Sequence, residues 1–237
     1  MVDYAYKNWG RLTVFANINQ NCDPTLVFQT EVPRVMNRTL MLKLSVFLAF
    51  LVATAAAPAD DFVKLVQSCE QCHGKDGNST TPDVPIIAGF SDEGFLNTMD
   101  VFRAGERIAL KFHKPGEPET VMNDIAKRLS DEDVRNLADY FSKRTFKPAQ
   151  QSVNTELARR GEVIHKRLCE QCHTDNGAHP VEDAAILAGQ WTPYLRRQFD
   201  NFLSGKRMVP RTMLRRIKEL PKDDIEALLN FYASKGM

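Results

Sequence analysis

Two stretches of the chain carry the clearest pattern of apolar and polar positions, and both follow a helical period. Val134, Leu137, Ala138 and Phe141 stand at i, i+3, i+4 and i+7, and Ile225, Leu228, Leu229 and Tyr232 repeat that stripe 91 residues later. Ser130-Asp131-Glu132-Asp133 gives the first stretch a capping-box-like start. Pro221 suits the first turn of the second. Further helices are predicted over about Asp92 to Ala104 and Thr192 to Leu203, and from Asp60 and Thr155 into two cysteine-bearing segments. No segment alternates persuasively with a period of two, so the pattern predicts an all-α fold.

Each of these elements occurs twice. Cys69-Glu70-Gln71-Cys72-His73 returns unchanged 100 residues later as Cys169-Glu170-Gln171-Cys172-His173. At the same offset Ile86-Ile87-Ala88-Gly89 faces Ile186-Leu187-Ala188-Gly189, and Phe102-Arg103-Ala104-Gly105 faces Phe202-Leu203-Ser204-Gly205. The offset then drops to 91, where Met122 matches Met213 and Leu129 matches Leu220. The first copy therefore holds nine extra residues within Glu106 to Thr120, rich in Lys, Pro, Gly and Glu, which read as a surface loop. Internal duplication explains the pattern, with domains at 60–147 and 148–237 joined by an extended linker, Thr145 to Val153.

The beginning of the chain reads differently. From Met36, basic Arg38 and Lys43 precede an apolar run, Leu44 to Val52, and a small-residue site, Ala57-Pro58-Ala59, as in an export signal. An uncleaved anchor is the alternative. Residues 1–35 are an upstream extension, either a start placed too early or a disordered tail, so 1–59 is expected to be a removed leader. Of five cysteines only Cys22 lies outside the two pentads, and it falls in that leader. The remaining 178 residues make two domains of marginal size for a core of their own.

Cys-x-x-Cys-His is the attachment signature of haem c, with both thiols joined to the porphyrin and the histidine carried onto the iron. Cys69, Cys72, Cys169 and Cys172 are thus expected to bind two haems, and His73 and His173 to ligate the irons. A structural zinc site is the alternative. Met122 and Met213, at matching positions, are the expected opposite ligands, with Met208 and Met99 as rivals. Histidine and methionine together fill the iron's coordination shell, which favours electron transfer over oxygen chemistry. His113, His165 and His179 are read as exposed or propionate-bonded. Pro85 is expected to orient His73 through its carbonyl, with Ala185 at the matching place. Trp191, Tyr194 and Phe199 are expected around the second haem.

Charge separates the copies. Residues 60–147 carry 12 basic and 16 acidic side chains, and residues 148–237 carry 14 and 11. Lys206, Arg207, Arg211, Arg215, Arg216 and Lys218 make much of the difference, as a solvated face, a propionate partner or a docking patch.

The tandem pentads, Met122 and Met213 resemble the dihaem cytochromes of the c4 type: two class I cytochrome c domains. More narrowly, Ile186-Leu187-Ala188-Gly189-Gln190-Trp191-Thr192-Pro193-Tyr194-Leu195, the linker Phe146 to Ser152 and the ending Phe231 to Ser234 resemble the dihaem subunit of flavocytochrome c sulfide dehydrogenase. That resemblance implies a periplasmic chain with two covalent haem c groups. It also implies a partner flavoprotein that carries FAD, oxidises sulfide and hands over electrons for a further acceptor. The chain would have no catalytic site of its own. The insertion in the first copy departs from the compact loop of that family. A free c4-type shuttle to a terminal oxidase and a dihaem enzyme, a peroxidase or a thiosulfate dehydrogenase, are the alternatives.

Overall fold

The computed structural model describes residues 58–113, 119–180 and 184–236. The leader reading for residues 1–57 lies outside the described residues, as does the 114–118 tip of the insertion. All described residues belong to one unit, residues 54–237.

The first domain is built from α1 (Pro58–His73), α2 (Asp92–Ala104), α3 (Met122–Arg128) and α4 (Asp131–Ser142). The second follows with α5 (Thr155–Leu168), the single turn α6 (Thr174–Gly177), α7 (Thr192–Leu203), α8 (Arg211–Lys218) and α9 (Lys222–Ser234). Among the described residues there are two isolated β-bridges and no strand, so the all-α expectation holds. None of the described helices is long and apolar enough to cross a membrane.

The last helix of each domain forms its core because the stripe falls on one face. Val134, Leu137, Ala138 and Phe141 of α4 are all buried, and Ser130 caps the helix in a capping box with Asp133. Ile225, Leu228, Leu229 and Tyr232 of α9 are buried likewise, with Pro221 just before the helix as its cap residue. In the second domain α5 crosses α9 so closely that a Cβ on Gly161 would lie 2.1 Å from the Ala227 carbonyl oxygen, a spacing that only glycine permits.

Two short helices, α3 and α8, lie outside the helices predicted from the sequence. Each spans only about two turns, with Met122, Ile125 and Ala126 on one face of α3 and Met213, Leu214 and Ile217 on one face of arginine-rich α8. The second pentad also differs from its expected helix. α1 runs through His73, whereas α5 stops at Leu168 and Cys169 to His173 form turns.

The linker binds both domains. Asn78 Nδ2 donates to Thr145 O (3.1 Å), Asn78 Oδ1 accepts from Lys147 N (2.7 Å), and Ala149 N donates to Gly189 O (2.8 Å). Buried Gln190 pairs with the backbone of Ile86, accepting from its N (3.0 Å) and donating to its O (2.9 Å). Trp191 packs beside Ile86, Ala88 and Ala149 and donates Nε1 to Ser79 O (2.9 Å). The insertion leaves and rejoins through a bridge between Phe112 and Thr120, where Lys111 meets Glu119 at 2.9 Å.

Candidate haem sites

At the first pentad, α1 delivers Cys69, Cys72 and His73 from its last turn. His73 is buried and its Nδ1 lies 2.9 Å from Pro85 O, the orienting bond expected from the sequence. That bond leaves Nε2 for a metal. Burial lowers the His73 pKa, although the Pro85 carbonyl opposes the shift, so the ring is neutral and fit to ligate. Cys69 packs on the cluster of Phe95, Met99, Phe102 and Phe141, and so does Met122, the first residue of α3. The rival Met99 lies inside that same cluster.

The segment behind the pentad is shaped by a carbonyl shared between two donors. Gly77 O accepts from Ile87 N (2.8 Å) and Ala88 N (3.2 Å), and Gly177 O accepts from Leu187 N (2.8 Å) and Ala188 N (3.0 Å). A Cβ on Gly77 would fall 2.9 Å from both the Ile87 and Phe141 side chains at φ 77°, so the loop closes only with glycine.

In the second domain Cys169 packs on the cluster of Ile164, Leu195, Leu228 and Tyr232, while Cys172 is exposed. His173 is partly buried at the start of α6, and Met213 is partly buried in the first turn of α8. The rival Met208 is 70% exposed. Tyr194 and Phe199 pack against the second core, and Trp191 packs against residues of the first domain and the linker.

Of the three remaining histidines, His113 and His179 are exposed and His165 is not. His165 is fully buried, with Nδ1 3.0 Å from Tyr232 Oη and Nε2 2.6 Å from Glu170 Oε2. Its spacing one turn before the pentad held no signal for this. The basic cluster also divides: Lys206, Arg211, Arg215 and Lys218 are exposed, whereas Arg207 and Arg216 are partly buried. Arg216 donates to Leu168 O and to Gln171 Oε1 (3.1 Å), tying α8 to the pentad.

The donor set fits haem c better than zinc. Burial pushes the Cys69 thiol up to about 11 and raises Cys169 as well. No three His, Cys, Asp or Glu side chains among the described residues gather as a metal cage.

Comparison with known proteins agrees. Residues 62–144 match the family described as Cytochrome c. Cytochrome c4 of Stutzerimonas stutzeri is 30% identical over 214 residues, covering 83% of this chain and 98% of that one. The thiosulfate dehydrogenase electron acceptor of Thiomonas intermedia is 28% identical over 164 residues, 65% of this chain and 68% of that one. The reduced recombinant cytochrome c4 from Pseudomonas stutzeri aligns with a TM-score of 0.60 at 29% identity, covering 75% of this chain and 98% of that one. The repeat, the two pentads and the near full-length match together place this chain in the cytochrome c4 family, dihaem c-type cytochromes that transfer electrons.

Proposed function

We propose that this chain is exported to the periplasm as a c4-type electron carrier that accepts electrons from a sulfur-oxidising dehydrogenase and passes them to a further acceptor. Residues 1–59 serve as leader, with 60–147 and 148–237 each holding one haem c. Cys69 and Cys72 would hold the first haem, with His73 and Met122 as the ligands to its iron. Cys169 and Cys172 would hold the second, with His173 and Met213. The bound group supplies a reversible one-electron couple. The protein orients His73 through Pro85, keeps the ring neutral and packs apolar residues around the site, which limits solvent reorganisation during transfer. With His73 and Met122, and His173 and Met213, as ligands, the residues would leave neither iron a vacant position, and the chemistry supplied would be outer-sphere electron exchange.

The observation that carries this reading is the match over 98% of a cytochrome c4, supported by a relative named as a thiosulfate dehydrogenase electron acceptor. The second reading, a haem subunit of an FAD-containing sulfide dehydrogenase, rests on the Ile186 to Leu195 segment. Gln190 and Trp191 of that segment already have partners in the first domain, so an outside partner is not needed to account for them.

Size-exclusion chromatography of the native protein, followed by spectra with and without electron donors, separates the two. The carrier reading expects haem without flavin, unmoved by sulfide alone and reduced by thiosulfate when a thiosulfate dehydrogenase is added. Co-eluting flavin with haem reduction by sulfide alone would replace it with the subunit reading.

A further inference from the structure

The chain leaves α2 and α7 in the same way. Each helix is followed by a glycine in the left-handed conformation, Gly105 at φ 75° and Gly205 at φ 74°, and then by a short non-helical segment, 106–108 and 206–208. Backbone bonds hold both segments to their helices. Glu106 N and Arg107 N donate to Val101 O (3.0 and 3.2 Å), and Arg207 N donates to Asn201 O (3.1 Å). The segments then pair across the domains. Ile108 N donates to Lys206 O and Met208 N to Glu106 O, both at 3.3 Å, closing an antiparallel bridge around Arg107 and Arg207.

Side chains alternate along such a pair, so the arginines take one face and their neighbours take the other. Arg107 is only 7% exposed and its Nη2 donates to Tyr194 Oη (2.8 Å), while Arg207 Nη1 donates to Gln198 Oε1 (2.7 Å). Glu106, Ile108, Lys206 and Met208 are all exposed, Ile108 by 51% and Met208 by 70%. Register fixes their places on the outer face. Ile108 stands across from Lys206, and Met208 across from Glu106. The apolar pair therefore occupies one diagonal of a four-cornered patch and the charged pair occupies the other. The ion pairs of the flanking insertion and of α7, Lys111 with Glu119 (2.9 Å) and Arg197 with Asp83 (2.6 Å), involve neither Glu106 nor Lys206.

This patch is complementary to itself. A half-turn about the diagonal through Ile108 and Met208 lays a second patch face to face with the first. Each Glu106 then meets the partner's Lys206, and each apolar side chain meets its own equivalent, which is the condition for an isologous two-fold contact. A partner of one charge sign would satisfy only one of the two charged corners. We infer that the outer face of this bridge docks a second copy of the chain, through two Glu106–Lys206 pairs around an apolar centre. The face is much smaller than the roughly 20 residues a side of a standard interface, so the dimer is weak and reversible.

The test uses the native haem-loaded protein and variants whose haem spectrum is unchanged. Sedimentation velocity over a concentration series should show a monomer–dimer equilibrium with a dissociation constant weaker than about 1 μM. A protein that stays monomeric at the highest concentration overturns the proposal. Glu106→Lys and Lys206→Glu each turn two attractive contacts into repulsive ones, and each should weaken the dimer by about tenfold. The double variant exchanges the signs and should return to within about threefold of the unaltered protein. An equimolar mixture of the two single variants should form a mixed dimer, because one brings lysine and the other glutamate to both charged corners. Met208→Glu sets like charges against each other at the centre and should abolish association. A dimer indifferent to these changes, or one weakened by the single changes without rescue in the double variant and the mixture, overturns this face as the contact. A monomer whose reduction by an added thiosulfate dehydrogenase is slowed in the same variants would assign the face to the electron donor and overturn the second copy.

Discussion

Leu65 and Phe141 of the first domain stand where the second domain has His165 and Tyr232, and the two cores are built accordingly. In the first, Leu65 packs against an apolar cluster, with Phe141 stacked on Phe95 at 6.1 Å. In the second, His165 joins Tyr232 and Glu170 in a buried hydrogen-bonded chain beside Cys169. Cross-bracing differs too. Arg103 of α2 reaches Ala126 O (2.9 Å), Leu129 O (2.8 Å) and Asp131 (2.8 Å), and Asn123 holds Phe102 O (2.9 Å) and Arg107 O (2.8 Å). The matching residues in the second domain are Leu203 and Leu214, and bracing passes to Arg216. Identical attachment motifs therefore sit in an apolar setting and in a polar one. Hydrogen bonding and local charge tune a haem's potential, so the divergence of the two surroundings predicts two unequal redox centres.

The sharpest way to break this comparison is to remove the axial methionines one at a time. Met122→Ala and Met213→Ala should each abolish the low-spin six-coordinate spectrum of one haem. The potential of that haem should fall by a substantial part of the ~0.8 V range that axial ligands span. Spectra and redox titration of each variant check this, and a spectrum unaltered by either change would reject the ligand assignment.

Converting one core into the other comes next. Tyr232→Phe strips His165 Nδ1 of its buried partner and should cost about 1 to 3 kcal/mol. Adding His165→Leu recreates the pairing of the first domain and should recover part of that loss. Denaturant unfolding of the single and double variants measures the coupling, and strict additivity would mean that the chain is not a unit.

Arg103→Leu installs the residue of the second domain in the first. It removes four hydrogen bonds from a charged donor, two of them to backbone carbonyls, and should destabilise the first domain by about 1 to 2 kcal/mol. Loss of protection in α3 by hydrogen exchange, with α8 unchanged, is the expected readout.

The smallest effect concerns acid. Hydrogen bonds from the Ser130 side chain and then its backbone hold Asp133 below the usual carboxylate range. A depressed carboxylate contributes stability that is present above its unfolded pKa and lost as pH falls through the folded value. The first domain should therefore lose this contribution below about pH 4, the usual carboxylate value, whereas α9, which has no side-chain cap, has no such contribution to lose. Ser130→Ala should cost about 1 kcal/mol at neutral pH and flatten the acid response. Unfolding curves at pH 7 and 3 test it.

Periodicity made the long helices legible in the sequence: α2 spans Asp92–Ala104 and α7 spans Thr192–Leu203, as the pattern predicts. The capping box at Ser130 and the buried stripes were equally plain, because caps and apolar spacing are local signals. The short helices α3 and α8 were not legible. Seven or eight residues make only about two turns, too short to be stable alone, and packing against longer helices makes up the deficit. The end of α5 at Leu168, before a pentad identical to one that is helical, shows the same dependence on surroundings.

The sequence by itself determined the duplication, the helical class, the paired Cys-x-x-Cys-His motifs and the candidate methionines, since each is written in residue type and spacing. Only the tertiary structure decided that His165 is buried, that Trp191 bridges the domains, and that Arg107 meets Arg207. Those outcomes join residues 67 to 112 positions apart, and no local pattern records which distant partner will satisfy a polar group withdrawn from water.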